Sequence, residues 1–306
     1  MSLLIICPGK DPEVWKQALQ EYDSDIEVEI FPEVKAPEKV EMALSWNHPT
    51  GAFKGFPNLR SVASMGAGID HILHDPQLPR QVPVTRVVDE MLTADMSNFV
   101  LALVLDHIRE ISYHHCNKSW NKKMYRRPEE TRVGIMGLGV LGLAAAEKLK
   151  MNGFQVSGWS SGPKELEAVN TFFGKGQLDE FLSELHLLVC LLPLTPDTEN
   201  ILDKALFQKL PKDAYLINVA RGRHLVEEDL LEMTDNGHLS GASLDVFRKE
   251  PLPVEHPFWK HPKIKITPHN ASITSPRSVV PQIVDNYYRM KNGEPLKNLA
   301  SREKGY

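Results

Sequence analysis

The clearest structural signal in the chain is a glycine-rich stretch near its middle, Arg132-Val133-Gly134-Ile135-Met136-Gly137-Leu138-Gly139-Val140-Leu141-Gly142. The apolar residues before Gly137 predict a buried strand, and Leu141 to Met151 predicts a helix directly after the glycines. Glycines at this spacing permit a tight turn, close approach of a pyrophosphate to the backbone, and packing of the helix on the strand. The stretch therefore predicts a dinucleotide-binding loop. The alternative is a glycine-rich turn without a ligand.

Segments on both sides of this loop alternate between strand-like and helical patterns. Strand-like runs lie at residues 3–7, 26–31, 43–46, 59–64 and 82–88, then at 133–136, 155–159, 187–192, 214–219, 242–246 and 263–267. The pair Asp11-Pro12 predicts a helix start, and Pro276 to Asn292 predicts a last helix. Residues 89–118 contain no glycine or proline and predict one long helix. Such alternation indicates parallel sheets covered by helices.

Composition and charge exclude several classes of partner. Lys and Arg number 35 against 40 Asp and Glu, a net charge of −5, which argues against nucleic-acid binding by phosphate neutralisation. No apolar run approaches the roughly 18 residues of a membrane span, and no basic n-region precedes the first apolar stretch. Cys7, Cys116 and Cys190 are widely spaced and odd in number. A reducing compartment, the cytoplasm, is expected.

The end of the strand after the glycine loop bears on the choice of dinucleotide. An NAD site normally carries Asp or Glu there to bind the ribose 2′-hydroxyl, but the chain reads Trp159-Ser160-Ser161-Gly162-Pro163-Lys164. No carboxylate in this segment repels a 2′-phosphate, while Ser160, Ser161 and Lys164 can bind one. NADPH is therefore predicted as the preferred cofactor, with NADH possible. The alternative is a solvated Lys164 and loose selectivity.

The same segment also matches a hydrolase pattern. Gly158 to Gly162 fits the nucleophile-elbow motif G-x-S-x-G, and Asp245 and His269 follow in the chain order of a hydrolase triad. This reading leaves the glycine loop one βα unit earlier unexplained. No oxyanion segment of the HGGG kind precedes it either. The dinucleotide interpretation is therefore preferred.

Further strands end in residues that suit ligand binding, because open α/β sheets bind ligands at the carboxyl ends of their strands. Two such ends carry Leu192 with Pro193 and Val219 with Ala220. Arg221 follows at once and can bind a carboxylate bidentately; the alternative is a surface ion pair.

His269 lies just past the last apolar strand, in Thr267-Pro268-His269. A carboxylate such as Glu250 could orient its imidazole and hold it protonated, as a general acid requires. The alternative is a histidine that only caps a loop, and sequence spacing does not show that the two side chains meet.

Several motifs together resemble the D-2-hydroxyacid dehydrogenase family. They are the glycine loop, Asn218-Val219-Ala220-Arg221-Gly222, Leu244-Asp245-Val246-Phe247 with Glu250-Pro251, and Thr267-Pro268-His269. A second set is similar to the glyoxylate/hydroxypyruvate reductase A branch of that family: Trp46-Asn47-His48-Pro49, Met65-Gly66-Ala67-Gly68-Ile69-Asp70, and Gly305-Tyr306. The resemblance covers essentially the whole chain.

The resemblance implies residue roles. His269 would donate a proton to the carbonyl oxygen of a 2-oxo acid with Glu250 supporting it, and Arg221 would bind the substrate carboxylate. Backbone amides around Gly66, Ala67 and Gly68 would hold the same carboxylate, Trp46 would line the substrate pocket, and Asp245 would contact the nicotinamide end of the cofactor. The cofactor loop would comprise Gly137, Leu138, Gly139, Val140, Leu141 and Gly142. No metal is expected.

The resemblance and the order of elements also imply a domain organisation. The fold class is α/β, with two doubly wound parallel-sheet domains: a flavodoxin-like substrate domain, residues 1–97 and 276–306, and a Rossmann-type dinucleotide domain, residues 98–275, inserted into it. The site is then expected in the cleft. In the family, the region of residues 119–132 contributes to dimerisation, so a homodimer is expected.

The chain departs from the branch in two places, at Ser161 to Lys164 and at residues 89–99, where it has Thr93, Asp95 and Met96. The expected function is reduction of small 2-oxo acids, glyoxylate to glycolate and hydroxypyruvate to D-glycerate. The alternatives are a 2-hydroxyacid dehydrogenase with a different substrate, and a dinucleotide-sensing, protein-binding module of the same fold.

Overall fold

The chain forms two compact units, Met1–Leu92 with Thr274–Tyr306, and Thr93–Ile273. The computed structural model describes residues 2–116, 120, 122, 124–166 and 169–305. The side chain of Cys116, residue Tyr306 and part of the 119–132 connection lie outside the described residues.

The strands are β1 Ser2–Ile6, β2 Glu27–Ile30, β3 Val40–Ser45, β4 Ser61–Ser64, β5 Val84–Thr85, β6 Arg132–Met136, β7 Gln155–Ser160, β8 Asn170–Phe173, β9 Leu187–Cys190, β10 Ala214–Asn218, β11 Leu239–Leu244 and β12 Ile264–Ile266. The α-helices are α1 Pro12–Tyr22, α2 Asp70–Leu73, α3 Glu90–Arg109, α4 Ile111–Cys116, α5 Val140–Met151, α6 Leu178–Leu182, α7 Lys204–Phe207, α8 Glu227–Asp235 and α9 Pro276–Asn292. Short 3₁₀ turns include Gly222–His224.

The first unit is built on a five-stranded sheet in the order β2-β1-β3-β4-β5, with every neighbouring pair parallel. All residues of β1 are buried, as expected for a parallel strand covered on both faces. Helix α1 begins as predicted, because Asp11 accepts a hydrogen bond from the Glu13 amide (2.9 Å) and Pro12 occupies the first turn.

The C-terminal segment completes this unit. Helix α9 has the predicted bounds and ends at Gly293, whose φ of 73° is left-handed. The hydroxyl of Tyr288 on α9 donates to Asp23 at the end of α1, at 2.6 Å. The Ala300 amide then donates to the carbonyl of Val84 on the edge strand β5, at 2.8 Å.

The second unit is built on a seven-stranded parallel sheet in the order β12-β11-β10-β9-β6-β7-β8. Alternate residues of its central strands enter different core clusters: Leu216 of β10 lies in one, and Tyr215 and Ile217 lie in the other. Both faces are therefore covered, as period-two alternation requires. The predicted α/β class with two parallel sheets is confirmed.

Two local predictions are wrong. Residues 89–118 do not form one helix, because the chain breaks at Glu110, whose φ is 51°. The Asp106 side chain accepts both the amide and the hydroxyl of Ser112 (2.8 Å each), a local bond that competes with helix continuation. The second difference is strand β8, which was not predicted. It is a short strand at the edge of the sheet, and in the part of the chain that the structure describes it pairs with β7 alone.

Helix α3 is long and apolar enough to cross a membrane by length and composition alone. Core helices of soluble proteins meet the same criteria. Here Met96, Val100, Val104 and Ile108 recur at intervals of four and pack in a core cluster of the second unit.

Candidate active site

The glycine loop follows β6 and leads into α5. Gly137 has a φ of 103°, and a Cβ there would lie 2.6 Å from the Leu191 carbonyl oxygen. A Cβ on Gly142 would lie 1.8 Å from the Gly137 carbonyl oxygen. The helix can therefore pack against the turn only because Gly142 has no side chain. These two positions account for the tight turn and the close packing that the motif requires.

Gly139 differs from both of these glycines, because nothing lies within 4 Å of the position its Cβ would take. It is the N-cap of α5, and no side chain caps that helix. The space above Gly139 thus meets the positive end of a twelve-residue helix. This open cradle fits the pyrophosphate of a dinucleotide. The other loop residues, Leu138, Val140 and Leu141, belong to the same turn.

The end of β7 stands beside this loop. The ammonium of Lys164 donates to the carbonyl oxygen of Leu138, so the cation lies against the glycine turn. The indole of Trp159 donates to Gly174 (2.9 Å) and the hydroxyl of Ser160 donates to Gly162 (2.8 Å). Ser160 is buried within a strand, and the described bonds of His269 do not include it. This geometry does not support a nucleophile elbow. Ser161 is exposed at the strand's end.

Leu192 and Pro193 follow β9, and Val219 and Ala220 follow β10, at the carboxyl edge of the same sheet. The Pro193 carbonyl accepts from Thr198 Oγ1 at 2.7 Å, which fixes the loop after β9.

Arg221 stands in a turn that two neighbours shape. The Asn218 side chain accepts from the Ala220 amide (3.2 Å) and donates to the Arg221 carbonyl (3.0 Å). A Cβ on Gly222 would lie 1.9 Å from the carbonyl carbon of Phe247, so this turn touches the backbone of the loop after β11. The guanidinium Nη1 donates to the Ala220 carbonyl at 2.8 Å. No role was predicted for Asn218, although its place at a strand end was a usable signal.

The side chains of His269 and Glu250 form a hydrogen bond. The distance from Nδ1 of His269 to Oε2 of Glu250 is 2.7 Å, and Oε1 of Glu250 accepts from the Phe247 amide at 2.9 Å. Because an ionised carboxylate only accepts hydrogen bonds, Nδ1 carries its hydrogen and Nε2 is left for another partner. Both side chains are 36% exposed, so the imidazole is accessible. The φ of His269 is 52°, a left-handed conformation that is uncommon outside glycine.

The electrostatic environment keeps Glu250 charged. Burial raises the pKa of its carboxyl, but hydrogen bonds from His269 and the Phe247 amide, with the positive charges of His269 and Arg221, outweigh burial. The net pKa of Glu250 therefore lies below its ordinary value. An anion held in this way remains a hydrogen-bond acceptor for the Nδ1–H of His269.

Asp245 is fully buried and organises the loop that carries His269. Its Oδ1 accepts from Thr267 Oγ1 (2.6 Å) and the Asn270 amide (3.0 Å), and its Oδ2 accepts from the Ala271 amide (2.9 Å). The sequence analysis expected a cofactor contact and missed this anchoring role. Strands β11 and β12 are neighbours, which places the loop that follows β12 beside Asp245.

In the first unit, Trp46 follows β3 and Gly66, Ala67 and Gly68 follow β4. A Cβ on Gly66 would lie 2.9 Å from Cζ3 of Trp46, so the glycine turn lies against the indole. The Gly66 amide donates to Ser64 Oγ (3.1 Å). Among the described residues, the amides of Ala67 and Gly68 have no hydrogen-bond partner, so both can donate to a ligand. Within the described ranges, no group of three or more His, Cys, Asp or Glu side chains could hold a metal ion.

Comparison with known proteins adds an independent line of argument. Residues 100–271 match the family model for the NAD binding domain of D-isomer specific 2-hydroxyacid dehydrogenase. The chain is 37% identical to glyoxylate/hydroxypyruvate reductase A of Escherichia fergusonii, covering 100% of both proteins. It is 39% identical to the protein of that name from Yersinia enterocolitica, covering 87% of this chain and 88% of the other.

Solved structures are similar over the full length. A D-isomer specific 2-hydroxyacid dehydrogenase from Xanthobacter autotrophicus Py2, in complex with NADPH and MES, superposes with a TM-score of 0.95 at 40% identity, covering 100% of this chain and 99% of the other. The NADPH-dependent glyoxylate/hydroxypyruvate reductase of Sinorhizobium meliloti, with NADP and sulfate, gives a TM-score of 0.92 at 38% identity, covering 100% of both chains. The chain therefore belongs to the D-isomer specific 2-hydroxyacid dehydrogenase family.

Proposed function

We propose that the protein is an NADPH-preferring reductase of small 2-oxo acids, which converts glyoxylate to glycolate and hydroxypyruvate to D-glycerate. The observation that carries the proposal is the 2.7 Å hydrogen bond between His269 and Glu250, with the Arg221 charge acting on the same carboxylate. The names of the relatives from Escherichia fergusonii and Sinorhizobium meliloti support the choice of substrates and of cofactor.

The cofactor would be held along the carboxyl edge of the seven-stranded sheet. The open space at Gly139 and the uncapped start of α5 suit the pyrophosphate. Lys164, with Ser160 and Ser161, suits a 2′-phosphate. The remaining proposed contacts are Gly137, Leu138, Val140, Leu141, Gly142, Trp159, Leu192, Pro193, Val219, Ala220, Arg221 and Asp245. When bound, the reduced nicotinamide supplies a hydride to the carbonyl carbon of the substrate.

The protein's own groups handle the carboxylate and the proton. Arg221 pairs with the substrate carboxylate through its guanidinium and draws electron density from the adjacent carbonyl. His269 donates the Nε2 proton to the carbonyl oxygen as the carbonyl carbon is reduced, which leaves a neutral imidazole. Glu250 keeps Nδ1–H oriented throughout. Since His269 is partly exposed, solvent can return the proton. Trp46 and the amides of Ala67 and Gly68, with Gly66 shaping their turn, are the proposed further substrate contacts.

The direct test is turnover of purified protein with a panel of 2-oxo acids and both cofactors. We expect oxidation of NADPH with glyoxylate and hydroxypyruvate, and a kcat/KM at least about tenfold higher with NADPH than with NADH, the effect of one charge-assisted hydrogen bond. Equal or better efficiency with NADH would contradict the cofactor preference. No turnover of glyoxylate, hydroxypyruvate or pyruvate with either cofactor would contradict the reductase itself.

We also propose that the protein is a cytoplasmic homodimer. Two large apolar side chains, Trp120 and Met124, are 95% and 99% exposed, and Ile111, Tyr113 and Tyr125 are exposed as well. Apolar side chains concentrated in one segment of the chain are typical of a surface that another protein covers. Cys7 and Cys190 are free, which suits a reducing compartment.

A further inference from the structure

The five-stranded sheet has its own ligand-binding position. In the order β2-β1-β3-β4-β5 the chain leaves β1 towards one edge and returns to the other side of β1 as β3. The connections diverge there, and ligands of open α/β sheets bind beyond the carboxyl ends of the strands at such a point. Lys10 follows β1 and Trp46 follows β3, so both residues lie at this position.

Lys10 lies on the face of Trp46. Its Nζ is 4.5 Å from the centroid of the indole, and the Lys10 amide donates to the Cys7 carbonyl at 3.0 Å, which closes the turn after β1. The neighbouring Asp11 is engaged in capping α1. Among the described residues, no carboxylate lies within 4.0 Å of the Lys10 ammonium, in contrast to Lys16 one turn along α1, which pairs with Glu13 at 3.5 Å.

The Lys10 side chain is exposed, so its ammonium is accessible to a ligand. Desolvation lowers the pKa of Lys10, with a smaller opposing effect of Cys7. A bound anion or hydroxyl would accept a charge-assisted hydrogen bond from this ammonium. The same indole touches the Gly66 turn, whose Ala67 and Gly68 amides are available. The Trp46 ring therefore contacts both the Lys10 ammonium and the turn that carries the Ala67 and Gly68 amides. The ammonium and the pair of amides each suit an oxygen ligand.

We propose that Lys10 is a specificity-determining residue that binds an oxygen substituent on C3 of the 2-oxo acid, a hydroxyl or a carboxylate, while the amides of Ala67 and Gly68 bind the C1 carboxylate. The inference rests on the proposed reductase function and deepens it, since it names the preferred substrate class. Hydroxypyruvate and oxaloacetate carry such a substituent. Glyoxylate has no C3, and the C3 of pyruvate is a methyl group.

The kinetic test compares Lys10→Met with Lys16→Met. Methionine keeps an unbranched side chain against Trp46 and removes the charge. For Lys10→Met we expect the ratio of kcat/KM for hydroxypyruvate to that for pyruvate to fall about tenfold, mainly through KM, because a charge-assisted hydrogen bond is lost. The Lys16→Met control should leave the ratio unchanged. An equal loss for both substrates, or no loss, would contradict the inference.

A binding measurement separates this inference from the reductase proposal. Titration calorimetry with NADP-loaded protein would compare tartronate, which carries a second carboxylate, with glycolate, which does not. We expect wild-type protein to bind tartronate more tightly, and Lys10→Met to lose about tenfold of that affinity. If the wild type prefers tartronate and Lys10→Met loses that preference, but no 2-oxo acid is reduced, the result supports the Lys10 site and contradicts the reductase proposal. If tartronate binds the variant and the wild type equally, Lys10 has no such role, whatever the turnover.

Discussion

At the residue scale, Glu250 supports the imidazole of His269 through both geometry and charge. Its pKa is lower in the folded chain than its ordinary value, so the stability it contributes is present above the ordinary value. That contribution is lost as the pH falls through the lower, folded-state pKa. Glu250 therefore stays ionised throughout the neutral range, where it accepts the hydrogen bond of the His269 Nδ1–H.

Replacing this carboxylate by an amide should lower turnover. In Glu250→Gln the Nδ1–H of His269 loses its charged acceptor and with it the bond that orients the imidazole, so we expect kcat/KM for glyoxylate reduction to fall about tenfold or more. Steady-state kinetics with each variant measure this loss.

The matched control is Glu255→Gln, which removes an exposed carboxylate five residues along the chain. Its kcat/KM should equal that of the wild type. If Glu250→Gln kept wild-type turnover, the carboxylate would have no part in positioning His269.

The removal of His269 itself, in His269→Gln, should abolish turnover while NADPH binding is largely retained.

Asp245 illustrates why residue roles are harder to predict than residue positions. Its place at the end of a strand was readable from the sequence, but its hydrogen bonds run to residues more than twenty positions away, Thr267, Asn270 and Ala271. A buried carboxylate with several donors is a strong local organiser. Its contact with the nicotinamide stays a prediction.

At the scale of elements, the turn after β10 and the loop after β11 are held in backbone contact at Gly222. We expect Gly222→Ala to destabilise the protein by about 2–3 kcal/mol, because a methyl group at 1.9 Å from the Phe247 carbonyl carbon forces the two backbones apart. Urea unfolding followed by circular dichroism measures the change. Activity should fall as well, since Arg221 stands in this turn and Glu250 stands in this loop.

Gly176→Ala is the control for this substitution, since nothing lies within 4 Å of its Cβ position. It should change the free energy of unfolding by no more than about 0.5 kcal/mol. If Gly222→Ala changed the free energy of unfolding as little as Gly176→Ala does, the Gly222 turn and the Phe247 backbone would not be in the close contact that the structure shows.

The elements also show where periodicity is a sufficient guide. Helix α9 was predicted with its bounds because proline begins it and Gly293 ends it. The break at Glu110 was missed, because its cause is a side-chain bond from Asp106 rather than a helix-breaking residue. Strand β8 was missed because it is a partly exposed edge strand, with Asn170 and Phe173 exposed at its ends, rather than an apolar run.

At the scale of the whole molecule, the exposed apolar residues of the segment around Trp120 support a dimer. We expect the double variant Trp120→Glu, Met124→Glu to be monomeric where the wild type is dimeric, as measured by light scattering on a sizing column. Charges introduced into an apolar interface cost several kcal/mol when buried. Met151→Glu is the control, since Met151 is 83% exposed at the end of α5. A wild-type monomer, or a dimer that survives the double substitution, would contradict the assignment.

Much of this architecture follows from local order in the sequence. Alternating patterns imply two parallel sheets, glycine spacing implies the loop after β6, and strand ends mark Arg221 and His269, because period and turn chemistry act over a few residues. Tertiary structure decided which of these ends are neighbours. Strand order places the loop after β11 beside the loop after β12, so Glu250 reaches His269, and it places Lys10 over Trp46. Such encounters depend on hydrogen-bond register between strands distant in sequence, which no local pattern encodes.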